Sequence, residues 1–345
     1  MTSMQSGSIK KPRLAKAITV MSILMVLIII VFIISMNTGV IRLSPLEVLR
    51  TFFGGGTAKQ GIILWDFRLP RIVISILVGA GLAVSGAILQ GISRNMLADP
   101  GILGINAGAG LAIILVVSFY PNNVGAPLFF MPMIAMLGAG LAALLIYTLS
   151  YVKGKGISSS RLLLVGIAVS AGIASLMVVL SIRLDPTDFQ FVQIWLAGSI
   201  WGTNWKFVLA LLPWIVVLIP YVMFKANVLN VLNLGEMTSI GLGIRMERER
   251  LGLLAAAVAL AGACVAVGGG IGFVGLIGPH LARRLVGPKH QYLIPASALT
   301  GGLLLIVADT IARGMFQPTE VPTGIVAAVI GAPYFLYLLV RTRAS

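Results

Sequence analysis

The sequence predicts an all-α, polytopic membrane protein of about ten transmembrane helices, and three observations carry that expectation. Apolar residues make up 58% of the 345-residue chain and charged residues only 10%, whereas a soluble domain is roughly half apolar and about a quarter charged. The mean hydropathy is +1.03. The charges fall between long apolar runs, so the net charge of +15 speaks for orientation in a membrane rather than for nucleic-acid binding. Residues 1–345 therefore read as a single transmembrane domain with no sizeable soluble part.

The first element opens with Lys10-Lys-Pro-Arg-Leu-Ala-Lys16 and turns apolar over 17–36. About 20 apolar residues suffice to cross a bilayer. No small-x-small cleavage site follows, so this is an uncleaved first span behind a basic cytoplasmic N-terminus, residues 1–16. Further spans fall near 69–91, 101–120, 127–149, 161–183, 207–224, 251–268, 272–287, 293–312 and 322–340. An even number of spans puts both termini on one side. With the termini in the cytoplasm, inner segments hold 17 of the 25 Lys and Arg and outer segments 8, the sense of the positive-inside bias.

Two outer segments exceed a turn. In 37–67, Ser44-Pro45-Leu-Glu47 predicts a helix start, with Ser44 as cap and Glu47 three residues on. In 184–206, Trp195, Trp201 and Trp205 suit the membrane interface, where a ring can lie half wet. The inner segment 225–250 is too polar to span and too apolar for a solvated linker. Its Leu232, Leu234, Ile240, Leu242 and Ile244 need a covering surface. Either one or two short helices lie against a partner protein, or the segment folds back on its own bundle. A weak internal echo links Arg94-Asn-Met-Leu-Ala-Asp-Pro-Gly101 with Arg284-Leu-Val-Gly-Pro288, and duplicated halves are common in transporters.

Few residues suggest chemistry. Cys264 lies alone in an apolar run and reads as a packed core residue; one cysteine gives no disulfide within the chain. His280 and His290 are too few and too far apart for a metal site by spacing. No nucleophile–base pair argues for an enzyme. The chain has no Gly-x-x-x-x-Gly-Lys-Ser/Thr loop for nucleotide phosphates. Asp309 is the carboxylate placed deepest in an expected span, a relay candidate in a proton-coupled carrier, but Arg313 follows one helical turn later and pairs with it readily.

Five stretches, in order, carry a resemblance to a known family. They are Phe67-Arg-Leu-Pro-Arg71 with Val78 to Gln90; Arg94 to Gly104; Leu232-Asn-Leu-Gly-Glu236 through Gly243; Gly272-Phe-Val-Gly-Leu with Pro279-His-Leu-Ala-Arg283; and Ala308 to Arg313 with Val321-Pro-Thr-Gly324. The chain resembles the FecCD-type permeases of ABC importers for ferric siderophores, haem and vitamin B12, from about residue 40 onward. Two departures stand out. The family usually has Asn-Pro-Leu where this chain has Asn95-Met96-Leu97, which removes a helix-breaking proline. Gly268-Gly-Gly270 replaces a motif in which many members place a proline, as in the Gram-positive siderophore branch.

The resemblance implies a type II ABC importer permease fold of ten helices. It also implies a second permease copy or homologue, two separate ATP-binding subunits that use the ATP, an extracellular substrate-binding lipoprotein, and a ferric siderophore as cargo. No cofactor and no metal ligands are expected in this chain, since iron would arrive inside its chelator. Arg68, Arg71 and Arg313 are then expected to dock the binding protein, since an arginine fork pairs bidentately with a carboxylate. Their plain alternative is snorkelling at the interface or pairing with Asp309. Leu234, Gly235, Glu236, Gly241 and Gly243 would contact the ATPase subunit. Asn95, Leu97, Ser159 and Ser160 would lie near the cytoplasmic gate, although Ser158-Ser-Ser160 also reads as a plain helix cap. The glycines at 79, 81, 86, 91, 101, 104, 108 and 110 suit close helix packing or a pathway lining. Within the family the alternatives are vitamin B12 or haem import; outside it, an ion-coupled secondary carrier.

Overall fold

The structure, a computed structural model, describes residues 10–39, 44–119, 129–152, 156–242, 245–315 and 320–342. It opens with α1 (Lys10–Asn37) and the short α2 (Pro45–Phe52) and α3 (Ala58–Gly61). A π-helical stretch (Ile62–Arg68) leads without a break into α4 (Leu69–Ser93). A 3-10 turn (Pro100–Leu103) precedes α5 (Ile105–Phe119) and α6 (Phe130–Ser150). The small antiparallel ribbon β1 (Tyr151–Val152) and β2 (Gly156–Ile157) leads into α7 (Ser159–Ser181). Then come α8 (Pro186–Leu196), α9 (Trp205–Phe224), α10 (Ala226–Leu232), α11 (Glu236–Gly241), α12 (Met246–Gly268), α13 (Val274–Val286), α14 (His290–Gly314) and α15 (Thr323–Thr342).

Each expected span has its helix: α1, α4, α5, α6, α7, α9, α12, α13, α14 and α15. Among the described residues, seven helical segments are long and apolar enough to cross a membrane, and α5 and the 323–337 part of α15 are shorter apolar helices. The 13 residues of α13 rise only about 20 Å, less than the roughly 30 Å hydrocarbon core. Its first half, residues 274–279, is buried, and the helix packs on α14 and α4. The segment 184–206 holds more structure than its tryptophans announced: Pro186 starts the 11-residue α8. The start read at Ser44 is present in full. Ser44 N–H donates to Glu47 Oε2 (2.7 Å) and Glu47 N–H to Ser44 Oγ (3.3 Å).

At the centre stands α4, with all but three of its 25 residues buried. It packs most extensively on α14, then on α12 and α13. In lipid, helix association rests on close packing rather than on escape from water, and glycine provides the closeness here. A Cβ on Gly86 would overlap the backbone of Gly275 in α13, and one on Gly278 would press on Ala83. By contrast α1 and α7 lie mostly uncovered. Cys264 is fully buried, as expected of a packing residue.

Candidate functional site

At the end of the bundle where α14 finishes, Asp309 is fully buried between two guanidiniums. Arg71 Nε donates to its Oδ1 (2.9 Å) and Arg313 Nε to its Oδ2 (3.1 Å), while the Thr323 hydroxyl donates to Oδ1 (3.1 Å). Arg71 Nη1 also reaches Glu320 Oε2 at 2.7 Å. A buried carboxylate needs this degree of pairing, since an unmatched ion in a low-dielectric interior costs several kcal/mol. Arg71 and Arg313 meet these carboxylates, while Arg68 and Arg313 reach the C-terminal end of α1. Arg68 donates to the Met36 carbonyl. Arg313 donates to the Ser35 hydroxyl, to the Ser35 carbonyl (3.5 Å) and to the Thr38 carbonyl (3.3 Å). The last carbonyls of a helix lack intrahelical partners and carry the negative end of its dipole, so these arginines cap α1.

All three arginines are thus buried in the single chain. The pairing of Arg313 with Asp309 along one helical turn is present. Arg71 and Glu320 also line an open cavity of about 430 Å³ shared with Ser199, Trp201 and Val321, so Arg71 is also open to that cavity.

At the opposite end, residues 225–250 form α10 and α11 ahead of α12. The break between the two short helices is made by Gly235, whose φ of +109° suits glycine. Ser239 ties them by donating to the Val231 (2.9 Å) and Gly235 (2.7 Å) carbonyls. Leu232 is buried, but Leu234 and Leu242 are 62% and 61% exposed. Gly241 ends α11 in open space. Glu236 begins α11, and Gly243 and Ile244 lie outside the described residues. Lys225 pairs with Glu249 at 2.8 Å, and that hydrogen bond raises the lysine's pKa.

The loop after α4 lies beside this segment, with the Arg94 guanidinium next to Gly235. Although the proline of the family pattern is missing, the helix still breaks here. Arg94 takes a left-handed conformation (φ +53°), and the Asn95 side chain accepts the Leu97 N–H at 2.9 Å, a turn that asparagine makes by itself. Leu97 is exposed. The 3-10 turn that follows packs on α7. Ser159 and Ser160 occupy the first turn of α7, and the cap is Ser158, whose hydroxyl accepts the Arg161 N–H at 3.2 Å. Among the described residues no three His, Cys, Asp or Glu side chains converge on a point that would hold a metal ion.

Residues 27–341 match the FecCD transport family. The chain belongs to that family. It is 50% identical over 337 residues to the iron(3+)-hydroxamate import system permease protein FhuG of Bacillus subtilis, covering 96% of this chain and 100% of that one. It is 43% identical to the iron-uptake system permease protein FeuC of the same organism, over 92% of this chain and 96% of FeuC. To the hemin transport system permease protein HmuU of Yersinia pestis it is 37% identical, over 93% and 95%. A solved inward-facing structure of a metal-chelate type ABC transporter superposes with a TM-score of 0.81 at 31% identity, covering 94% of this chain and 99% of that one.

Within this FecCD-family fold the sequence pointed to the arginines and to the Arg313–Asp309 pair, but not to their other partners. Glu320 and the α1 carbonyls stand far in the chain from the arginines they meet, and no local spacing signals them. Asn230 and His290 were also missed as a pair. Their side chains meet at 2.9 Å across 60 residues.

Proposed function

We propose that this chain is the membrane-spanning permease subunit of an ABC importer that carries a ferric siderophore across the cytoplasmic membrane, with ferric hydroxamates the first chelates to consider. Family membership and the name of the 50% identical relative support the substrate class. One structural observation carries the mechanism: an inner segment of two short helices leaves Leu234 and Leu242 uncovered beside the loop that ends α4. An apolar surface on a short inner helix suits a partner protein better than water. The partner is an ATP-binding subunit, present twice in the assembly, and its closure on ATP would displace α10 and α11. ATP is bound there and not in this chain.

In this reading residues 1–345 form one permease domain with both termini in the cytoplasm, paired with an identical or homologous permease. An extracellular binding lipoprotein delivers the chelate to the outer mouth. Arg71, beside Glu320 in the outer cavity, is the docking residue the geometry favours. Arg68 and Arg313 support it by fixing α1 and Asp309. Asn95, Leu97, Ser159 and Ser160 stay at the inner end, where small polar groups can close a pathway without gripping the cargo.

The test is co-expression with a candidate ATP-binding subunit, followed by uptake after a protonophore has collapsed the proton gradient while ATP is maintained. The permease reading expects co-purification and surviving uptake. Failure to bind any such subunit, with uptake abolished by the protonophore, would instead point to an ion-coupled carrier.

A further inference from the structure

The N-terminus of α14 is capped by a residue from another helix. Lys289 precedes it without any side-chain cap, which would leave the His290 N–H orphaned. That N–H donates to Asn230 Oδ1 at 2.9 Å, and His290 Nδ1 lies 2.9 Å from the same oxygen. Because the backbone N–H can only donate, the Asn230 atom is its oxygen. Because that oxygen can only accept, Nδ1 carries the ring proton. Asn230 Nδ2 then donates to Gln291 Oε1 at 2.8 Å, and Gln291 Nε2 donates to Asn227 Oδ1. Asn227 and Asn230 stand one turn apart on α10, so a single face of that helix is latched to the first two residues of α14.

The latch is buried where it matters. His290 is fully buried and lies against Gly91 of α4, where a Cβ would come within 3.0 Å of both the imidazole and Leu229. From this point α4 and α14 run together. They touch through Gly79 and Gly301 midway and are bolted by the Arg71–Asp309 ion pair at the outer end. Asp309 lies 19 residues beyond His290, roughly 28 Å at 1.5 Å per residue.

We infer that Asn230 and His290 are positioning residues that form the joint through which the inner segment drives α14, so that α10 and the inner end of the α4–α14 pair travel as one body during transport. This rests on the reading of residues 225–250 as the contact for an ATP-binding subunit. A force applied to α10 would otherwise be absorbed by the Gly235 hinge and by the chain leaving α9. The latch gives it a second route, into a helix that ends at the outer ion cluster.

The experiment measures iron-hydroxamate uptake and ATP hydrolysis in proteoliposomes holding the full transporter and its binding protein. Asn230→Leu is expected to lower transport per ATP hydrolysed at least fivefold. Asn230→Asp, which keeps the acceptor for both His290 donors, is expected to restore most of it. Unchanged transport per ATP in Asn230→Leu would overturn the inference. Should Asn230→Leu fail to assemble, a second variant decides. Asn227→Cys with Gln291→Cys, both exposed, is bridged by a short linker that thiols cleave. The bridged transporter is expected to work at the unbridged rate. Loss of uptake on bridging, regained on cleavage, would show that the joint opens and overturn the proposal. A parent transporter without ATP-dependent uptake would count against the permease reading, and is scored before any variant is compared.

Discussion

Gly79 of α4 and Gly301 of α14 touch backbone to backbone: a Cβ on either would overlap the carbonyl oxygen of the other. Any side chain at this crossing must push two helices apart, and overpacking of this kind typically costs about 1–3 kcal/mol. Gly301→Ala is therefore expected to lower the unfolding temperature of the detergent-solubilised protein. At Gly172, where a Cβ meets nothing within 4 Å, alanine is expected to leave the single chain's melting unchanged.

Asp309 pairs with Arg71 and Arg313 together. Asp309→Asn removes the carboxylate that the two guanidiniums share, and removing one partner of a buried pair costs about 3–5 kcal/mol. A large loss of thermal stability is expected. Arg183→Ala, at an exposed position, is expected to stay within about 0.5 kcal/mol of the parent. Equal melting of the two variants would mean that the outer cluster does not hold the fold.

Leu234 makes the opposite kind of prediction. Its side chain is exposed and contributes little to the single chain, so Leu234→Glu is expected to melt like the parent. It is also expected to lose co-purification with the ATP-binding subunit. The pair of readings separates a partner-facing residue from a structural one.

The Ser44–Glu47 cap gives a pH prediction. The Ser44 backbone N–H, followed by its hydroxyl, holds the Glu47 carboxyl below the usual carboxylate range. A depressed folded value stabilises the capped form above the unfolded pKa, and that contribution is lost as pH falls through the folded value. Hydrogen exchange of the α2 amides, corrected for intrinsic rates, is expected to speed up on acidification below about pH 4, the usual range for a glutamate. Glu47→Gln, which keeps an acceptor without a charge, is expected to flatten that rise.

Much of this architecture was legible because hydropathy reports span positions directly. The ten expected spans, the Ser44 helix start and the inner segment all have their counterparts. The helix break at Asn95 survives the missing proline because an asparagine side chain can make the turn. Local sequence could not separate a snorkelling arginine from a docking or a buried one. Arg68, Arg71 and Arg313 owe their burial to carboxylates and carbonyls brought near by the fold. Glycine roles were equally hidden: Gly79, Gly86 and Gly108 all meet another helix's backbone, and nothing in the chain's own periodicity names that partner. Gly269 takes a φ of +71°, and Gly269 and Gly270 press on the end of α8, a helix that the outer tryptophans had not announced.

Import of a ferric chelate is tested by radio-iron uptake in cells lacking this gene and in complemented cells. The panel holds hydroxamate, catecholate and citrate chelates, with haem and labelled cobalamin alongside. Ferric-hydroxamate uptake is expected to be lost on deletion and to return on complementation. Intact uptake of every iron chelate in the deleted cells, with loss of cobalamin or haem alone, would contradict it.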